Sequence, residues 1–168
     1  MATSLYMTRI QLRGTGCSNM PTLRELEGQL LRCKKEVSQE KDDTGKYVFR
    51  DSDGSIHMWS SESEHWVFEH VNTLAEAHGI SFLCPKDYVK NGGPKGTHSV
   101  YVFFTGSPYA GHNSAGEEVR WNVAGGTSLD DLQLTPSILL QDENLPEGDR
   151  CGWHGFVGSS GVPPGHAQ

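Results

Sequence analysis

Apolar positions along the chain change period several times, and each change predicts an element. Over 7–13, Ile10 and Leu12 alternate with polar neighbours, the two-residue period of a short strand. After a turn at 14–19, Leu23, Leu26, Leu30, Cys33 and Val37 recur at spacings of three, four, three and four, which predicts an amphipathic helix of about four turns. Thr22-Leu23-Arg24-Glu25 has capping-box spacing at its start, and Lys41-Asp42-Asp43-Thr44-Gly45 ends it. The stripe is expected to pack on its own domain or to make a short coiled-coil contact with a partner or a second copy of the chain, with Cys33 in it as a small apolar residue.

Tyr47-Val48-Phe49-Arg50 and Ile56-His57-Met58-Trp59 flank the turn Asp51-Ser52-Asp53-Gly54-Ser55, a β-hairpin signal. The same turn lacks the later glutamate and remaining oxygen ligands of a calcium loop. A second capping box, Ser61-Glu62-Ser63-Glu64, predicts a helix over 62–78 that buries Val67, Val71, Leu74 and Ala75 and leaves His65, His70 and His78 at its surface or margins. Residues 80–84 predict a strand with Cys84 at its end. Asn91-Gly92-Gly93-Pro94-Lys95-Gly96 is a turn without the spacing of a phosphate-binding loop. The alternation from His98 to Phe104 predicts a well-buried central strand. Further on come a polar loop over 106–116, a strand at 119–123, a single helical turn capped by Ser128, an edge strand over 134–140 interrupted by Pro136, and an acidic loop over 141–150.

These elements define a small α+β fold, an antiparallel sheet with one packed helix and an added N-terminal amphipathic helix. They divide the chain into an N-terminal strand and helix at 1–45, an α+β domain at 46–158 and a flexible tail at 159–168. Twenty glycines and eight prolines in 168 residues favour turns and loops over a helical bundle. A formal charge of -7 with no dense basic patch argues against nucleic acid as partner. No stretch approaches the roughly 20 apolar residues of a membrane span. The expected location is a cytoplasm, where thiols stay reduced and ligate metal rather than form disulfides.

The chemistry concentrates in Cys151-Gly152-Trp153-His154-Gly155-Phe156-Val157. A thiol and an imidazole three residues apart between glycines can curl onto one ion, and Phe82-Leu83-Cys84-Pro85 and Gly96-Thr97-His98-Ser99-Val100 offer two more ligands. Cys84, His98, Cys151 and His154 thus form a candidate zinc set of two cysteines and two histidines, with zinc as the expected cofactor. Cys17, in a turn without a paired ligand, is expected to be a free thiol.

The same segments, with Asn91-Gly92-Gly93-Pro94, Arg120-Trp121 and Leu134-Thr135-Pro136-Ser137-Ile138, resemble in order a family of small bacteriophage and bacterial proteins. These are commonly labelled ammonia monooxygenase and otherwise treated as a domain of unknown function. The resemblance covers residues 55–158 and implies a phage or prophage origin and a metal-binding domain. The oxygenase label finds no membrane-spanning segment here, and only half of a Rieske-type cluster motif, Cys-x-x-His-Gly. Where the family often carries a second cysteine after Cys-Pro, this chain has Asp87, so either Asp87 or His98 supplies the upstream oxygen or nitrogen ligand.

The expected function is a non-enzymatic zinc-binding protein that presents a loop-rich surface to a host or phage protein partner, a counter-defence inhibitor among the candidates. A metal-dependent hydrolase with three protein ligands, a bound water and Asp87 or Glu118 as acid/base group is the alternative, and a virion component a third. A homo-oligomer through the 23–37 helix is compatible with the first and third.

Overall fold

The computed structural model of the chain describes residues 20–140 and 151–168. The strand expected over 7–13, the turn with Cys17 and the acidic loop over 141–150 lie outside the described residues.

The first capping box forms as its spacing predicts. The Thr22 amide donates to Glu25 Oε2 at 2.7 Å and the Glu25 amide to Thr22 Oγ1 at 3.0 Å. The helix does not follow. Glu27 takes the left-handed conformation at φ 54°, and the Gly28 amide returns to the Leu23 carbonyl at 2.7 Å. A Cβ at Gly28 would stand 2.5 Å from that oxygen, so the reversal requires glycine. Gln29–Val37 then runs extended as β1, a correction to the helix expected over 23–37. With it goes the helical seam expected to join two copies.

Tyr47–Arg50 (β2) and Ile56–Ser60 (β3) form the expected hairpin. Glu64–Val71 is strand β4, followed by a single 3-10 turn at Leu74–Glu76, a correction to the helix expected over 62–78. Trp66, Val67, Phe68 and Val71 are aromatic or β-branched, types that suit a pleated surface half-buried on both sides. Gly79–Leu83 is β5, and Pro85–Asn91 is α1, a helix with Pro85 at its first turn and Gly92 at φ 69° as its left-handed stop. Ser99–Phe103 is β6. Short pieces complete the elements of the described residues: Gly111–His112 (β7), Glu118–Val119 (β8), Asn122–Gly125 (β9), Gln133–Thr135 (β10), Ile138–Leu139 (β11) and His154–Gly155 (β12). Among the described residues the fold is mostly antiparallel sheet with one helix, the α+β class at that coarse level. No helix among the described residues is long and apolar enough to cross a membrane.

The main sheet has the order β4-β1-β5-β6, antiparallel throughout. β6, expected at the centre, is therefore an edge, and β1 and β5 are central. The register stacks Leu30, Ile80 and Val102 in one row and Leu31, Gly79 and Phe103 in the next. Because side chains alternate across a sheet, the first row faces the main core with Phe82 and Val100, while the second faces the opposite side. There Phe103, Phe68 and Tyr109 pack within 5.2 Å of one another between ring centres. β1 is paired on both sides, so the sheet crosses the division expected between residues 45 and 46.

The other wall of the core comes from Leu129, Leu132, Leu134, Ile138, Trp153, Val157 and Ala167. The last of these is a correction, since 159–168 was expected to be a flexible tail. Leu23 donates its amide to Gly165 O, Ala167 to Pro21 O and Gly165 to Leu132 O, at 2.8 to 3.0 Å, and Val162 and Ala167 are buried. A compact return stabilises what composition alone would leave loose, because each buried amide finds a carbonyl.

Deleting residues 159–168 is expected to cost about 3 kcal/mol or more of unfolding free energy, from lost burial of Val162 and Ala167 and lost hydrogen bonds. Denaturant unfolding measures it. An unchanged midpoint would show that the segment is not part of the core.

Candidate metal centre

The β5–β6 ladder places the first two donors. Leu83 pairs with Ser99, so the next positions outward, Cys84 and His98, stand opposite each other, and the Cys84 amide donates to His98 O at 2.9 Å. α1 begins directly after Cys84 and carries Asp87 three residues on, on the same side of the first turn. Asp87 Oδ2 lies 2.7 Å from His98 Nδ1. Cys151 arrives from the other wall of the core, held by Lys86, whose ammonium donates to its carbonyl at 2.8 Å. Cys84, Asp87, His98 and Cys151 each bring a ligand atom within 4.8 Å of the others, a group that could hold a metal ion.

Three of the four residues expected to ligate are thus together, and the fourth is not. His154 lies in β12 with its Nε2 2.8 Å from Ser137 Oγ. Sequence spacing suggests that Gly152 and Gly155 curl the chain so that Cys151 and His154 face one ion. Gly152 does turn, at φ 58°. Gly155 serves a different need: a Cβ there would meet Gln168 O at 1.7 Å and the Trp153 ring at 2.5 Å. The chain is extended from Trp153 onward, so Trp153 enters the core and His154, next along the strand, faces away. Asp87 occupies the fourth place. The signal for it is its spacing of three from Cys84 behind a helix-starting proline.

Glu118, the other acid/base candidate, pairs with Arg120 at 2.7 Å and is not in this group. Cys33 is buried, its Sγ 3.6 Å from Ser107 Oγ, as an apolar stripe residue should be. A second group, Glu36, His57 and His65, escapes sequence reasoning, because the hairpin separates its members and the helical reading of 62–78 leaves His65 at a surface.

The two thiols make the centre electrostatically unusual. Cys84 Sγ and Cys151 Sγ are 3.0 Å apart, too long for a disulfide, and both cysteines are free. Burial pushes the Cys84 thiol up from 9.0 to about 12, the neighbouring Cys151 adds to the rise, and the Asp87 and Lys86 amides oppose it. Without a cation, Cys84 is a neutral thiol at pH 7. A bound divalent ion reverses that preference and displaces the proton. Two thiols, an imidazole and a carboxylate are donor types that suit a tetrahedral ion.

No protein-family model, curated protein or solved structure matches the chain.

The raised Cys84 value fixes a sign for the metal-free chain. Between about pH 9 and 12 the unfolded thiol loses its proton while the folded one keeps it, so the unfolded state binds fewer protons and stability falls as pH rises. Melting temperature is expected to drop more steeply above pH 9 in the metal-free wild type than in Cys84→Ser, which lacks this buried thiol. Equal slopes would remove the assignment.

Proposed function

We propose that this chain is a zinc protein whose ion, held by Cys84, Asp87, His98 and Cys151, closes the fold rather than performing chemistry. The observation that carries the reading is convergence: four donors from three separated segments meet within 4.8 Å, on a strand end, a helix start, the facing strand and the far wall. Thiolate-rich mixed donors favour zinc over hard cations such as calcium and magnesium, and four protein ligands leave no position for an activated water. An ion there ties the C-terminal wall to the sheet, so binding free energy becomes folding free energy.

The working surface of such a protein is its protein-binding face. An open groove of about 540 Å³ runs beside the centre, lined by Pro85, Lys86, Val89, Trp153 and Ala167 among others, and Val89 is 70% exposed at its edge. Apolar lining beside a rigid metal-tied loop suits a partner's apolar side chains. The resemblance to small phage and bacterial proteins supports a host or phage protein as that partner, with counter-defence or particle assembly as the setting.

A hydrolase is the second reading, and one contact favours it. At 2.7 Å the Asp87–His98 separation is that of a charge-assisted hydrogen bond, the arrangement in which a carboxylate orients an imidazole that ligates through its other nitrogen. Asp87 would then lie outside the coordination sphere and leave a fourth position open.

Elemental analysis together with X-ray absorption of the purified chain separates the two. Full zinc occupancy at the thiol centre with two sulfur and two lighter protein ligands is expected, and at least a tenfold loss of affinity for Cys151→Ser and Asp87→Ala, with His154→Ala unchanged. An exchangeable water in place of Asp87 supports the hydrolase. A Cys151→Ser chain whose zinc affinity and melting temperature equal the wild type's ends both readings.

A further inference from the structure

Glu36, His57 and His65 meet apart from the thiols, and two features of the backbone bring them there. Glu36 on β1 and His65 on β4 are direct partners in the antiparallel register. His57 comes from β3 at the point where pairing with β2 skips: Phe49 pairs with Met58 and Arg50 with Ile56, so His57 is the extra residue of a bulge. Bulges re-aim a side chain, and this one turns His57 toward the main sheet. Both imidazoles present Nε2 to the same oxygen, Glu36 Oε2, at 3.2 Å for His57 and 3.3 Å for His65. His57 Nδ1 lies 3.1 Å from Asp51 Oδ1 in the hairpin turn. The buried Phe49 ring stands at 81° to His65 with 4.3 Å between centres, which limits how that imidazole can turn.

Counting protons shows that these contacts are not all hydrogen bonds between neutral groups. Three nitrogen-to-carboxylate contacts need three N–H donors, and two neutral imidazoles supply two. One contact would set lone pair against lone pair. A divalent cation between the two Nε2 atoms and Glu36 Oε2 removes the conflict. His57 keeps its proton on Nδ1 for Asp51 and turns its Nε2 lone pair to the ion, the way a carboxylate commonly orients a metal-bound histidine. The distances agree. Bonds of about 2.0–2.2 Å around a tetrahedral ion put neighbouring ligand atoms about 3.3–3.5 Å apart. The observed 3.2 and 3.3 Å fall near that edge length, above the roughly 2.7–2.9 Å of charge-assisted hydrogen bonds.

We propose that Glu36, His57 and His65 form a second metal centre, a site of two imidazoles and one carboxylate for a divalent transition ion such as zinc or cobalt, with Asp51 orienting His57 and at least one coordination position open. Side-chain exposures of 19–30%, with His57 the most open residue of the three, leave the group partly covered yet reachable for an ion and one small oxygen ligand. The proposal does not depend on the thiol centre.

Cobalt(II) titration of the metal-free full chain tests it, because thiolate-bound cobalt gives an intense near-ultraviolet charge-transfer band that a nitrogen–oxygen site lacks. One cobalt ion per chain without the thiolate band is expected, whether or not a second ion shows that band. Glu36→Gln and His65→Gln should each weaken the ion without thiolate absorption at least tenfold and leave the thiolate band untouched, while Asp51→Asn weakens it about 10–100-fold. In a Cys84→Ser, Cys151→Ser chain, one ion without the band should remain. Should that variant fail to fold, the wild-type stoichiometry and the Glu36→Gln and Asp51→Asn titrations decide alone. A wild-type chain that binds no cobalt outside the thiolate band, or an ion without that band that is indifferent to Glu36→Gln and His65→Gln, overturns the proposal.

Discussion

The contact of Trp153 with Phe82 is the interaction on which the rest of the molecule turns. The rings meet edge to face with 5.8 Å between centres, and the indole N–H donates to Gln168 O at 3.1 Å, so one side chain joins the central strand β5, the last wall of the core and the C-terminus. Aromatic burial of this kind is among the largest single contributions a small core has. It also has a geometric consequence. Cys151 lies two residues before Trp153 and Cys84 two residues after Phe82, so seating the indole sets the distance between the thiols. The candidate metal centre is an extension of the core's packing, and an ion there would stabilise an approach that apolar contact has already made.

Elements bounded by turn residues were legible in the sequence. The β2–β3 hairpin and strands β5 and β6 follow from alternation, with an Asp-Gly turn or a glycine cluster beside them. β1 was not, for a specific reason. It is central and buries Leu30 on one face and Leu31 on the other, which erases the two-residue period, and the residues before it add apolar positions that mimic helical spacing. Its capping box is real but governs one turn, because Gly28 must approach Leu23 too closely for any other residue. β4 failed in a similar way, being half-buried on both sides. The α-helix among the described residues, α1, carried its signals in Pro85 and Gly92, but at seven residues it is too short to show a period.

Of the centre, Cys84, His98 and Cys151 could be chosen from residue type and order, and Asp87 from its offset to Cys84. His154 could not be excluded by spacing, since the exclusion comes from strand alternation on an extended segment whose glycine answers crowding by Gln168 and Trp153 rather than a need to turn. Glu36, His57 and His65 lie further out of reach. They depend on the β1–β4 register and on a one-residue slip in the hairpin, and a slip of one residue leaves no mark in the pattern.

The two groups differ in how far each stands from a coordination geometry. At the thiols, sulfur-to-sulfur and nitrogen-to-oxygen separations of 3.0 and 2.7 Å are shorter than the ligand edges of a tetrahedral ion, about 3.7 Å between sulfurs at bonds of about 2.3 Å, so the donors must part to admit it. At the imidazoles both nitrogen-to-oxygen separations, 3.2 and 3.3 Å, already lie near such an edge. A collapsed, proton-bearing thiol pair beside α1 can adjust, because Asp87 lies in the first turn of a short helix and Cys151 on a turn outside regular structure. Glu36 and His65 sit in a paired ladder that resists such movement. Preorganised donors lose little on binding, whereas donors that must open and deprotonate couple the ion to folding and to pH. The adjustable donors thus lie where an ion would fasten the core, and two of the three in the other group, Glu36 and His65, lie on a ladder whose shape does not wait for one.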